Sequence, residues 1–449
     1  MLAPVTRFFQ ALFLTRRLAG TLVGVAGLFV AAYFAPALAV VARLALTGGL
    51  ALLALDLVLL WRAGDQVAAR RHTPERLSNG DWNEWRVEVE NRHPFRARLT
   101  VADELPEPFQ ARSRGRTRSV SAGETETLRY AARPVRRGVY AFGALNVYAA
   151  TPVGLAERRY RFAEGQEVPV YPSFKQMRRY RLLAASDRLD AVGVKTIRRR
   201  GHAPTELDHL REYVRGDDPR HVNWKATARR DVPITNQYRA ERGQPVWTLL
   251  DTGRVMKMPF EQMTLLDHAV NAALAVSAVA LQKDDRAGLV TFSDEVHRAL
   301  PPERRGRQLH ALQEALYHVG TGFAESSVER LAAFMRRKAP RRGLLLLFTN
   351  FATRSALDRQ LPYLKDLAQR HTVVVIFFEN AALRDLRDRA PETTEAIYHQ
   401  TIAEQFAHEK RRVVRTLRRH GCQAVLTAPE DLTTATLNKY LELKARGMG

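Results

Sequence analysis

Val246-Trp247-Thr248-Leu249-Leu250-Asp251, Gly343-Leu344-Leu345-Leu346-Leu347-Phe348-Thr349 and Thr372-Val373-Val374-Val375-Ile376-Phe377-Phe378 decide how the C-terminal half is read. Each is a nearly continuous apolar run, so both faces of each strand must be buried. That pattern belongs to a parallel sheet with helices above and below it. The intervening segments supply the helices, over 265–281, 309–319, 328–335 and 357–369. Another strand over 287–292, a charged helix over 393–419, a last strand over 423–426 and a last helix over 433–445 continue the alternation. Residues 246–449 therefore read as a doubly wound α/β domain. In such domains ligands collect at the carboxyl ends of the strands, where the strand order switches. Asp251 closes the first strand and Asn350 follows the run at 343–349.

Upstream the period changes. Between 78 and 171, Trp85, Val87 and Val89 alternate with Arg86, Glu88 and Glu90, the pattern of a half-buried strand. Asn91-Arg92-His93-Pro94 breaks it, Leu99 and Val101 begin another, and strands follow around 127–131, 139–142 and 145–148. Short strands at this spacing predict an antiparallel β-sandwich. Residues 172–245 hold Arg178-Arg179 and Arg198-Arg199-Arg200 without a long apolar run, and read as a basic connector packed on its neighbours.

Further out lie two apolar runs, within 18–61, separated near Pro36 and Arg43. A spanning helix needs about 20 mostly apolar residues, so these predict a transmembrane hairpin. Asp56 lies about one turn from its exit and is expected to reach the near interface or to face the partner helix. Ala37-Leu38-Ala39 would suit signal cleavage, but a second apolar run follows at once, as an anchor would. Arg7, Arg16 and Arg17 precede the hairpin, and Arg62, Arg70, Arg71 and Arg76 follow it, while the turn offers Arg43. Positive flanks stay cytoplasmic, so residues 1–17 and the whole soluble body are expected on that side of the membrane.

The formal net charge of +23 suits an acidic surface: nucleic acid, anionic lipid or an acidic protein. The basic residues spread along the chain instead of forming one aromatic-interleaved patch, which counts against nucleic acid. Nearness to an anionic leaflet accounts for part of the charge. The single cysteine, Cys422, forms no internal disulfide and reads as packing.

Just before the first sheet strand come Leu210-Arg211-Glu212-Tyr213, Gly216-Asp217-Asp218-Pro219-Arg220, Val222-Asn223-Trp224-Lys225 and Ala228-Arg229. A doubly wound domain with Asp251 at the end of its first strand resembles a von Willebrand factor A domain. The upstream run resembles the signature of the bacterial "domain of unknown function fifty-eight" family. Arg137-Gly138-Val139-Tyr140 and Thr151-Pro152-Val153-Gly154-Leu155 extend the likeness over essentially the whole chain. The resemblance implies two N-terminal membrane helices, a β-sandwich-like region and an A-like domain. It also implies a partnership with a MoxR-type AAA+ ATPase in assembling or maturing client proteins.

The A-domain metal site takes Asp-x-Ser-x-Ser from its first loop, a Thr from its second and an Asp from its third. Here Gly253 and Val255 replace both serines, Asn350 replaces the third-loop carboxylate, and Arg254 adds a cation. Mg²⁺ requires hard oxygen ligands, so the site is read as degenerate and no metal is expected. Thr321 or Ser326 would fill the second-loop position. Asp251 is then a loop-organising carboxylate, and the edge carrying Asp251, Arg254, Thr321, Asn350 and Arg354 is the candidate partner surface. In the signature, Arg211, Tyr213, Gly216, Asp217, Asp218, Arg220, Trp224 and Lys225 read as a domain-docking turn with Trp224 as its anchor, or as a binding patch, since Arg and Trp dominate hot spots.

No Gly-x-x-x-x-Gly-Lys-Ser/Thr loop, Gly-x-Ser-x-Gly elbow or His-Glu-x-x-His helix occurs, so no catalytic residue and no cofactor is expected. The function expected is a non-enzymatic, membrane-anchored protein–protein interaction module. Its rivals are a binder of nucleic acid or anionic membrane surface, and a metal-dependent adhesion or sensing A domain.

Overall fold

The computed structural model describes residues 8–61, 66–109, 115–162, 165–186, 193–194, 205–214, 219, 222–240, 243–304, 306–351, 353–379, 381–388 and 393–447. The chain divides into two units, Met1–Tyr171 and Pro172–Gly449.

In the first unit a short strand, β1 (Leu12–Leu14), leads into helix α1 (Arg16–Phe34) and then α2 (Leu38–Leu60). Thr15 caps α1, its hydroxyl accepting the N–H of Leu18. Both helices are long and apolar enough to cross a membrane, and only 6% of each is buried. Arg43 lies inside α2, beyond the turn at 35–37.

Ten strands follow: β2 (Val67–His72), β3 (Leu77–Ser78), β4 (Asn83–Asn91), β5 (Ala97–Asp103), β6 (Arg116–Val120), β7 (Thr125–Ala132), β8 (Gly138–Phe142), β9 (Leu145–Ala150), β10 (Ala156–Phe162) and β11 (Gln166–Tyr171). They form a five-stranded sheet β1-β10-β9-β5-β6, a three-stranded sheet β2-β4-β7 and a ladder β3-β11-β8. Trp85, Val87 and Val89 share one core with Leu99, Val101, Leu145 and Val147, so the period-two reading lands on a sandwich. Arg71, placed among the hairpin's basic flank by its position, is instead buried in an ion pair with Asp103. The sandwich also reaches past the expected 78–171 window. It takes β2 from behind the hairpin and β1 from ahead of it, with Leu12 opposite Arg158 and Leu14 opposite Ala156. The segments on either side of the two helices thus enter the two facing sheets of one sandwich, which makes the helices a hairpin.

Asp56 departs from both sequence expectations. It is fully buried, and its carboxylate accepts the hydroxyl of Thr151 and the backbone N–H groups of Leu155 (2.7 Å) and Ala156 (2.9 Å). Thr15 Oγ1 donates to Gly154 O at 2.8 Å, and Arg158 Nη1 donates to Leu60 O at 2.8 Å. Gly154 has φ +69°, a left-handed conformation that favours glycine. Thr151–Leu155 is therefore a clamp on the hairpin's open end.

The second unit opens with α3 (Phe174–Ala185), the hairpin β12 (Thr205–Glu212) and β13 (Ile234–Ala240), and α4 (Trp224–Arg230) between those strands. The region expected as a connector thus carries regular structure of its own. Then come β14 (Pro245–Asp251), β15 (Pro259–Phe260), β16 (Met263–Thr264), α5 (Leu265–Gln282), β17 (Arg286–Phe292), β18 (Val296–Glu303), α6 (Gln308–Tyr317) and α7 (Val328–Lys338). The chain ends with β19 (Leu344–Phe348), α8 (Arg354–Arg370), β20 (Thr372–Phe378), α9 (Ala381–Asp388), α10 (Thr394–Arg419), β21 (Gln423–Thr427) and α11 (Leu432–Ala445).

The main sheet has the order β18-β17-β14-β19-β20-β21, all parallel but for β18. β18, which sequence reading missed, carries Pro301 and Pro302 and stands at the edge, where a missing N–H is tolerated. Leu344, Leu346 and Phe348 pack on α5 and α11, whereas Leu345 and Leu347 pack on α7, α8 and α10. That alternation explains the apolar runs. Truncating one such leucine to alanine costs about 2–5 kcal/mol. Helix α5 is also apolar enough to span a bilayer, but 83% of it is buried in this core.

Candidate functional site

The order of strands reverses between β14 and β19, because the chain builds outward from β14 to β17 and β18 on one side and to β19, β20 and β21 on the other. Asp251 ends β14, and Thr349 and Asn350 follow β19, so they flank the switch point.

Asp251 is fully buried. Its Oδ1 accepts the backbone N–H of Gly253 at 2.8 Å and the hydroxyl of Ser326 at 2.6 Å, and its Oδ2 accepts the hydroxyl of Thr349 at 2.6 Å. Burial pushes its pKa above the ordinary carboxylate value, against the pull of those three donors. The carboxylate is a knot tying three loops together. Thr252 reinforces it, its N–H and hydroxyl both donating to Phe292 O.

The residues present do not fit a divalent metal. Both oxygens of Asp251 are engaged by donors from its own loops. A Cβ on residue 253 would lie 2.3 Å from Ser326 Oγ, so the Ser326 hydroxyl occupies the room a first-loop serine would need. Asn350 Oδ1 is taken by Lys410 Nζ at 2.8 Å. Among the described residues no group of three or more His, Cys, Asp or Glu side chains is gathered as metal ligands would be.

Around this knot the expected partner residues separate. Arg254 is exposed and paired with Glu325 at 2.6 Å, and Arg354 is exposed beside Asp358 at 3.7 Å. Ser326, not Thr321, joins Asp251. Thr321 lines another cavity, with Ser293, Asp294 and His297. Val255 and Asn350 border two adjoining cavities of about 580 and 740 Å³, which also share Arg254.

In the signature, Gly216, Asp217, Asp218 and Arg220 lie outside the described residues. Arg211 is half-buried on β12, and Tyr213 donates its backbone N–H to Pro233 O at 2.8 Å. Trp224 is not the anchor expected: it is 74% exposed, and Lys225 beside it is exposed as well. The turn is held by Asn223, whose side chain accepts from Ala226 N at 3.0 Å and donates to Asn236 Oδ1 at 3.0 Å. Thr227 Oγ1 accepts from Ile234 N at 3.0 Å. A short asparagine can cap a helix and reach the next strand at once, which a bulky ring cannot do.

Sequence reasoning missed Thr349 and Lys410. Thr349 ends an apolar strand as the one hydroxyl in its run, a usable signal. Lys410 sits in a strongly charged helix and gave none. Cys422 is buried packing as expected, burial pushing its thiol up to about 11.

Residues 209–412 match the family described as "Protein of unknown function DUF58". The uncharacterized protein Rv1480 of Mycobacterium tuberculosis is 26% identical over 175 residues, covering 38% of this chain and 54% of that one. A Mycobacterium bovis protein, Mb1516, also uncharacterized, matches equally. The chain thus spans about half the length of these curated relatives. Among solved structures, similarity is found to the ASH/PapD-like domain of human CEP192 (13% identity, TM-score 0.18, 24% of this chain and 89% of that one). A Pyrococcus furiosus CARDB domain, solved in complex with di-metal ions, gives 15% identity and TM-score 0.18 over 25% of this chain and 99% of that one. From β12 into α10, the match to the DUF58 family spans the switch-point edge.

Proposed function

We propose that this protein is a membrane-anchored, non-enzymatic protein–protein interaction module whose C-terminal domain is von Willebrand A-like and docks partners at its switch-point edge. The observation that carries the reading is the state of Asp251. Its Oδ1 and Oδ2 are both engaged by donors from its own loops, which supports an edge that presents shape and charge to a partner. In keeping with the family resemblance, the partners are a MoxR-type AAA+ ATPase and its clients, and the anchor sits in the bacterial inner membrane with the body in the cytoplasm.

The test is a mild-detergent capture with the full chain as bait, with and without ATP. Arg254 and Arg354 are both more than half exposed, so Arg254→Glu with Arg354→Glu should leave the fold intact. Like charges set against an acidic partner cost several kcal/mol, so the double variant should lose co-eluting protein. Unchanged capture by a folded double variant would move docking away from this edge.

A further inference from the structure

Lys410 enters the strand edge from the middle of α10 and ends between two neutral acceptors, Asn350 Oδ1 at 2.8 Å and Phe351 O at 2.7 Å. Burial holds its ammonium down to about 8. The guanidinium groups bordering the same 580 Å³ cavity each face a carboxylate: Arg254 with Glu325 at 2.6 Å, Arg384 with Glu430 at 2.9 Å and Arg387 with Asp388 at 2.8 Å. Among the described residues no carboxylate stands within ion-pair distance of Lys410, and it has one N–H left over after its two bonds.

The wall beside this ammonium is largely apolar, the Phe377 ring centroid lies 5.6 Å from Nζ, and the one carboxylate among the cavity's lining residues, Glu379, is 3.7 Å from Arg387. Met258, Phe260, Phe378, Leu383 and Phe406 wall the cavity, and Met258 and Phe406 are 45% and 46% exposed at its rim. The neighbouring cavity of about 740 Å³ shares Arg254, Val255 and Asn350 with it and is bordered further by Ser326, Thr353 and Arg359. A trough crossing two cavities suits an extended chain better than a single compact ligand, since one such site alone commonly holds a small molecule at about 300–1,000 Å³.

We propose that a partner peptide lies across both cavities, its apolar side chains against Phe260, Phe378 and Phe406 and one internal Asp or Glu carboxylate on Lys410 Nζ. The proposal rests on reading this edge as the docking edge and names the chemistry of what docks there. A carboxylate arriving with apolar flanks displaces water from around the ammonium and gives it the charged acceptor it lacks, a charge-assisted bond roughly twice as strong as a neutral one. A neutral amide at the same place leaves the cation without a counter-ion. Sites built around one polar partner reject the analogue lacking it strongly.

The test uses the full chain in phosphatidylcholine nanodiscs and three immobilised peptide libraries, each with randomised apolar positions around a fixed central Glu, Gln or Lys. Empty nanodiscs give the background. The Glu library should retain about tenfold more protein than the Gln library, and the Lys library should retain none above background. Lys410→Gln, which keeps a donor for Asn350 and Phe351, should erase the preference, and Lys410→Arg should keep most of it. Equal retention on the Glu and Gln libraries would overturn the carboxylate proposal while leaving the docking edge in place. Retention on none of the libraries would overturn both. A Glu preference that survives Lys410→Gln, in a variant with unchanged melting, would also overturn the assignment to Lys410.

Discussion

Asp56 Oδ2 accepts the backbone N–H of Leu155 at 2.7 Å, which joins an apolar, outward-facing helix to the sandwich 99 residues further along the chain. Ala156 N–H and the Thr151 hydroxyl complete the set. The carboxylate that looks out of place in an apolar run is the latch that closes the hairpin onto its domain.

Replacing Asp56 with Leu removes the acceptor for three buried donors at once. Each unsatisfied group costs about 1–3 kcal/mol, so a loss of about 3 kcal/mol or more is expected. Thermal melting of the detergent-solubilised chain measures it, and Asp56→Asn, which keeps one acceptor, should fall between. Wild-type melting in Asp56→Leu would mean the clamp holds without its carboxylate.

Both termini are expected in the cytoplasm, because Arg7, Arg16, Arg17, Arg62, Arg70 and Arg76 outweigh Arg43 in the first half of α2. Reporter fusions after residue 76 should behave as cytoplasmic. Periplasmic activity at that junction would reverse the orientation.

Mg²⁺ or Mn²⁺ should leave melting of the full chain unchanged. A metal present at 100 times its Kd would add about 2.7 kcal/mol, which melting resolves easily. Asp251→Ala strands the donors Gly253 N, Ser326 Oγ and Thr349 Oγ1, and should destabilise by about 3 kcal/mol with or without metal. A saturable metal-induced shift that disappears in Asp251→Ala is the contrary outcome.

His93 is buried, and burial chiefly, with Arg158 nearby, drops its pKa from 6.5 to about 4. The unfolded chain then binds a proton that the native chain refuses, so stability is full above about pH 6.5 and falls as pH drops toward about 4. His93→Phe keeps a ring against Phe95, 4.8 Å away in the native pair, and should flatten that acid slope. An unchanged slope would place the acid sensitivity elsewhere.

Trp224→Ala should alter stability by no more than about 0.5 kcal/mol, the usual range for exposed positions. A loss of several kcal/mol would mean that the ring is covered in solution. Loss of partner capture with normal melting would move docking to the signature.

The sheet was legible because burying both faces of a strand leaves its mark within seven consecutive residues, as in 372–378. The sandwich was legible for the converse reason, with Trp85, Val87 and Val89 turned inward and Arg86 turned out. Asp251 was recognisable from its place at a strand end. What escaped was long-range: Lys410 meets Asn350 across 60 residues, and a lysine in a charged helix looks like its neighbours until its helix is placed. Trp224 misled because ring size says nothing about direction, whereas Asn223 beside it holds the turn.

The three residues of β1 pair with β10, yet they are synthesised before the two apolar helices and their partner strand long after them. Until Ala156–Phe162 emerges on the side where Leu12–Leu14 waits, the edge of the sheet stays open. A chain that inserted one helix and left the other behind would strand those two segments on opposite sides of the bilayer. Closing this edge therefore requires Leu12–Leu14 and Ala156–Phe162 to lie on the same side of the two helices.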